Sequence, residues 1–262
     1  MFNLKKLLTT RTSIIALIFF LVIWEISVKI FKILPFILPP PSKILLATWS
    51  FRKVLFLTHL PVTVLEILLG LLLSIILSVL LALLMLKSSV VEKSLYPFLV
   101  ASQTIPIIVL SPVIIMWFGY GLLGKVVITV LITFFPIIVN TFEGVKNVDS
   151  QYINLLKTMG ASSSQIFWKV RVPAALPAFF TGLKVGASVS VIGAVIGEWL
   201  GGNAGLGVFS RRMSSNMQAD AVFAAVLILA LLGISLFGMV KKLEAICIPW
   251  YFKINNDRSG RP

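Results

Sequence analysis

About six runs of roughly 20 apolar residues leave this chain few folds, since that length crosses ~30 Å of hydrocarbon at ~1.5 Å per residue. No water satisfies a backbone N–H or C=O inside hydrocarbon, so these runs are expected as helices that close their own hydrogen bonds. They lie at Ser13 to Lys29, Val62 to Leu86, about Tyr96 to Phe118, Val126 to about Thr141, about Pro177 to Leu200 and Ala221 to Val240. The fold class is all-α: one polytopic membrane bundle over residues 1–262 with about six transmembrane helices.

Composition agrees. The chain is 58% hydrophobic and 12% charged, with mean hydropathy +1.04, whereas a soluble domain is nearer half apolar and a quarter charged. The formal charge of +14 comes from bases scattered at the edges of apolar runs. There they meet membrane-lipid headgroups or set orientation, and no basic helix or stripe indicates nucleic acid. One cysteine, Cys247, and one histidine, His59, exclude a disulfide framework and thiolate metal clusters, so no metal and no cofactor are expected. Isolated Glu residues make no catalytic constellation.

Lys5, Lys6 and Arg11 precede the first run as they would a signal peptide. The run is long and has no small-residue cleavage site, so it reads as a retained helix. The third run carries Pro97, Pro106 and Pro112, which bend or break a helix and place it inside the bundle. A cytoplasmic N-terminus puts most Lys and Arg inside, including Lys87, Lys93, Lys146, Lys157, Lys169, Arg171, Lys241, Lys242, Lys253, Arg258 and Arg261. The even span count returns the C-terminus to the cytoplasm, and residues 143–176 are then cytoplasmic.

This polar, basic insert predicts two short helices at a corner. Ser150 to Met159 has Tyr152, Ile153, Leu156 and Met159 at helical spacing, stopped by Gly160. Ser163 to Arg171 is capped by Ser162 or Ser163 and aligns Ile166, Phe167 and Val170. Pro173 and Pro177 are expected to end it and angle the chain back into lipid. Helices lying on headgroups are one reading, and a protein-docking element is the sharper one.

Gly160, nine residues, then Val170, Arg171, Val172 and Pro173 resemble the EAA loop of the membrane subunits of binding-protein-dependent ABC importers. Asn154, Leu155 and Leu156 stand where that family writes Glu-Ala-Ala, while the Gly and Pro spacing is intact. LPPPS at 38–42, SQTIP at 102–106, WFGYG at 117–121, FPIIVNT at 135–141, AALPAFFTGL at 174–183 and GEWLGGNAGLG at 197–207 resemble the branch containing nitrate, sulfonate, taurine and thiamine-precursor permeases. The last motif, with SQTIP, is more similar to thiamine-pyrimidine precursor permeases than to nitrate ones.

The resemblance implies an inner-membrane permease of type I importer architecture, with a core over about residues 58–242 and a coupling loop over about 143–176. That loop would engage an ATPase through Asn154, Leu155, Leu156, Lys157, Gly160, Ala161, Ser162, Val170 and Pro173. The implied partners are a second permease copy in a homodimer, two ATP-binding subunits inside and a substrate-binding protein outside. The permease itself would hydrolyse nothing. An ion-driven secondary transporter is the alternative, but the halves show no convincing repeat and the polar corner would have no purpose.

Several residues outside the corner have two readings. Gly182, Gly186, Ser190, Ala194, Gly197 and Gly201 recur about every four residues, either for packing within one subunit or to line a pathway or dimer seam. Glu198 and Lys184 are costly in a membrane and are functional candidates, Glu198 as part of an outer gate near the turn 201–207. Glu25 and Glu66 are expected to pair with neighbouring helices. GYGLLGKV has phosphate-loop spacing, but Val126 replaces the hydroxyl residue, so it reads as a membrane-edge turn with Lys125 snorkelling. His59 reads as a structural or headgroup contact, and Trp117, Trp199 and Trp250 as interface anchors.

Overall fold

A computed structural model describes residues 2–251, and of residues 2–11 and 13 the backbone alone. Lys253, Arg258 and Arg261, and the side chains of Lys5, Lys6 and Arg11, lie outside the described residues. In chain order the helices are α1 (Phe2–Ile30), α2 (Pro41–Ser50), α3 (Leu60–Lys87), α4 (Ser89–Ser102), α5 (Ile107–Phe118), α6 (Leu122–Lys146), α7 (Ser150–Thr158), α8 (Ser163–Ile166), α9 (Val172–Gly201), α10 (Leu206–Ser215) and α11 (Ala219–Cys247). A π-helical turn at Val54–His59 leads into α3 and a second at Phe167–Arg171 joins α8 to α9. The described residues contain no strand.

Among them, four continuous helices are long and apolar enough to cross a membrane: Val54–Lys87, Leu122–Lys146, Ser163–Gly201 and Ala219–Cys247. The third predicted run is α4 and α5, bent by 106° rather than one straight span. Pro106 lacks an N–H and holds the chain extended at ψ 117, so the helix breaks there and restarts, whereas Pro97 and Pro112 are absorbed inside α4 and α5. The first predicted run lies on α1, where Ile15, Phe19 and Phe20 are all more than half exposed. An apolar surface of that kind marks a contact with lipid or with another protein chain.

Contacts between helices fix their directions. Lys125 meets Glu66 near the starts of α6 and α3, and Ser78 donates to the Phe134 carbonyl further along at 3.1 Å, so the two helices run parallel. The bent α4–α5 pair therefore has to carry the chain back across. Helix α9 runs antiparallel to α6, with Gly182 against Asn140 and Gly197 against Lys125. Helix α11 runs antiparallel to α9, with Lys184 2.9 Å from Glu244 and Gly233 beside Val191. Trp24 packs on Phe223 and Ser42 donates to Glu25, which ties the end of α1 to the start of α11 and to α2.

Two ends of the bundle result. One carries α7, α8, the last residues of α3 and α6, and Cys247; the other carries α2, α10 and the turn 201–207. Between them a core of Ile67, Ile137, Phe180, Ala187 and Leu236 joins α3, α6, α9 and α11.

Pro173 and Pro177 do not end a helix, contrary to the expectation from sequence. The chain is helical without interruption from Ser163 to Gly201. Pro173 falls in the first turn of α9 and Pro177 lies within it. The wider coil of the preceding π turn relaxes the contact that the Pro173 ring would make with the Lys169 carbonyl.

Candidate functional site

At the corner, local bonds close both ends of α7. Asp149 caps its start by accepting from the Gln151 N–H at 2.8 Å. At its end Gly160 takes φ 81, the Gly160 N–H reaches the Lys157 carbonyl at 3.0 Å, and the Ala161 N–H reaches the Leu156 carbonyl at 3.0 Å. This pair of bonds around a left-handed glycine is a Schellman stop. Ser162 then starts α8 with a capping box, accepting from the Gln165 N–H while its own N–H donates to Gln165 Oε1 at 2.8 Å.

The predicted apolar face of α7 is divided. Ile153 and Leu156 are half-buried against the bundle, whereas Tyr152, Leu155 and Met159 are 63%, 58% and 74% exposed. These three lie at i, i+3 and i+7, on one outward strip. Asn154, Lys157, Gly160 and Ser162 are also exposed, and Ala161, Val170 and Pro173 are half-buried. A nine-residue helix is too short to hold itself in water. Its caps and the Ile153 and Leu156 contacts hold this one in place while it displays apolar side chains outward.

The small-residue stripe on α9 faces α6 of the same subunit. A Cβ at Gly182 would strike the Pro136 carbonyl, one at Gly193 would lie 2.8 Å from Thr129 Cα, and one at Gly197 3.0 Å from Lys125 Cα. Gly186 approaches Ile137 and Gly201 approaches Ile115. Ser190 and Ala194 are fully buried.

Sequence reasoning missed a buried ionic network at the opposite end. Lys125 does not snorkel: it is 6% exposed and its Nζ lies 2.7 Å from Glu66 Oε1. Its place on the inner face of α6 puts protein on every side of it. Glu198, 1% exposed, accepts from Thr63 Oγ1 and from the Gly207 N–H. Thr63 accepts from the Leu206 N–H at 2.9 Å, and His59 Nδ1 accepts from the Gly205 N–H at 3.0 Å. Gly205, at φ 130, passes so close to Glu198 that a Cβ would overlap the carboxylate. The glycines of the turn 201–207 thus let backbone amides approach side chains fixed on α3 and α9. His59 is a structural contact, and Glu66, whose partner the sequence did not name, pairs with Lys125.

Other charges are also paired. Glu25 accepts from Lys29 and Ser42, and Lys184 binds Glu244 with both carboxylate oxygens. Trp117, Trp199 and Trp250 are exposed by 77%, 44% and 44%. Among the described residues no group of His, Cys, Asp and Glu could hold a metal ion.

Residues 70–245 match the family described as binding-protein-dependent transport system inner membrane components. The chain is 51% identical over 230 residues to the formylaminopyrimidine transport permease protein ThiX of Halalkalibacterium halodurans, covering 88% of this chain and 92% of that protein. It is 35% identical over 237 residues to the riboflavin transport system permease protein RibX of Chloroflexus aurantiacus, covering 90% and 88%. To the taurine transport system permease protein TauC of Escherichia coli it is 27% identical over 248 residues, covering 92% and 90%. The apolar helices and these matches agree, and the chain belongs to the binding-protein-dependent inner membrane components as a multi-pass permease of an ATP-binding cassette importer.

Proposed function

We propose that α7 and the turn after it form the coupling element that seats in a groove of an ATP-binding subunit, with hydrolysis performed there and not by this chain. The outward strip of Tyr152, Leu155 and Met159 carries this reading, because three large apolar side chains on a doubly capped polar corner are displayed for a partner. Two copies of the permease, two ATP-binding subunits and an external binding protein make up the working importer. The core spans about residues 58–242 and the loop about 143–176. Closure of the ATPase pair would rock the two permeases between inward-open and outward-open states as rigid bodies. Both termini and the corner face the cytoplasm, a placement supported by the Lys and Arg bias and by the common end that α7 and Cys247 share.

The solute is a formylaminopyrimidine or a related thiamine-pyrimidine precursor, a reading supported by the identity to ThiX and by the motif at 197–207. Leu155→Asp should abolish uptake and release the ATPase subunits from the inserted permease. Uptake that persisted with this variant would sink the coupling role. Solute identity is tested separately, by thermal-shift screening of the partner binding protein with aminopyrimidines, taurine and nitrate.

A further inference from the structure

Where α3 ends, a cavity of about 450 Å³ opens between α3, α7 and the segment from α8 to the second π turn. Lys87, Lys157 and Arg171 line it together with Ser163 and the apolar Leu83, Leu86, Ile153, Ile166 and Phe167. Arg171 is half-buried, and its Nε lies within the protein without a hydrogen-bond partner.

The acidic side chains of the bundle are engaged elsewhere. At this end Glu92 pairs with Lys146, Glu143 accepts from Tyr96, Asp149 caps α7 and Glu244 holds Lys184. Glu25, Glu66, Glu198 and Asp220 belong to the opposite end, and Asp257 lies outside the described residues. None of Lys87, Lys157 and Arg171 forms an ion pair among the described residues. Three cations around one cavity, none in an ion pair among the described residues, make it a site for an anion from outside the chain.

The shape of the approach selects which anion. Ile76, Leu80, Leu83 and Leu84 are exposed along one face of α3, and this apolar track runs into the cavity at Lys87. A soluble anion would need no such track, whereas an acyl chain can lie along it while a phosphate reaches the cations.

We propose that this cavity binds the phosphate headgroup of an anionic phospholipid, with an acyl chain along α3, so that lipid wedges between the membrane-spanning helix and the coupling element. The bound headgroup neutralises Arg171 and fixes the angle at which α7 leaves the bundle. Anionic lipid is thereby a structural component of the joint between permease and ATPase.

Lipid retention by the intact importer tests this. Complexes carrying wild-type, Lys87→Gln or Arg171→Gln permease are delipidated in detergent, offered phosphatidylglycerol or phosphatidylcholine, and weighed by native mass spectrometry. The wild type should retain phosphatidylglycerol selectively, and each lost charge should weaken retention about fivefold. Lys53→Gln, exposed at the opposite end, should leave retention unchanged. Equal retention of the two lipids, or undiminished retention in Lys87→Gln, overturns the assignment. Displacement by millimolar inorganic phosphate would make the cavity a free-anion site instead. A cross-link from Lys157→Cys to an acidic ATPase segment in lipid-free complex, with normal coupling, would overturn it in favour of a protein partner.

Discussion

A single dihedral angle decides whether α7 has a defined end. Gly160 sits at φ 81 with open space where a Cβ would go, so substitution there is strained by backbone conformation and not by crowding. Gly160→Ala should cost about 1–2 kcal/mol of local order, read as faster amide exchange over residues 150–162 with the transmembrane helices unchanged. At the other end, the pair Lys125–Glu66 is buried on both sides. Removing one partner of a buried pair strands a charge and costs about 3–5 kcal/mol, while replacing both with apolar groups is far milder. Thermal unfolding in detergent should therefore rank Lys125→Met below the double variant Lys125→Met/Glu66→Leu. A single variant as stable as wild type would show that this pair is not held in low dielectric.

Helices α6 and α9 stand as close as they do because α9 offers no side chain at Gly182, Gly193 and Gly197. Gly182→Val would drive a branched side chain into the Pro136 carbonyl and Asn140. We expect it to lower stability by about 1–3 kcal/mol and to reduce the inserted, folded fraction seen by size-exclusion chromatography. By contrast, Gly233 on α11 would place a Cβ 3.6 Å from Val191, an ordinary contact. Gly233→Ala should be tolerated in the same measurement. The two outcomes together separate close helix approach from mere glycine content.

Across the whole molecule, parallel α3 and α6 with antiparallel α9 and α11 put α7 and Cys247 at one end and Met217 at the other. With Cys247 replaced by Ser, a cysteine at Tyr152 and one at Met217 should react with a membrane-impermeant maleimide from opposite sides. In permease expressed without ATP-binding subunits, Tyr152→Cys should be labelled only in inside-out vesicles and Met217→Cys only in right-side-out cells. Labelling of both from one side would refute the helix directions, and a reversed pattern would refute a cytoplasmic corner alone.

Hydropathy and spacing by themselves determined that this chain is a helical membrane bundle with a polar corner, because spans, stops and caps depend on residues within a few positions of one another. Gly160 as a helix stop, Ser162 as a cap and Glu198 beside the turn 201–207 are all legible at that range. Only the tertiary structure decided that Lys125 is buried on Glu66, that Pro173 leaves its helix unbroken, and that Lys87 and Arg171 share one cavity. Lys125 and Glu66 are 59 positions apart. Whether a cation snorkels, pairs or waits for an anion depends on what neighbouring helices bring to it, and no local pattern encodes that.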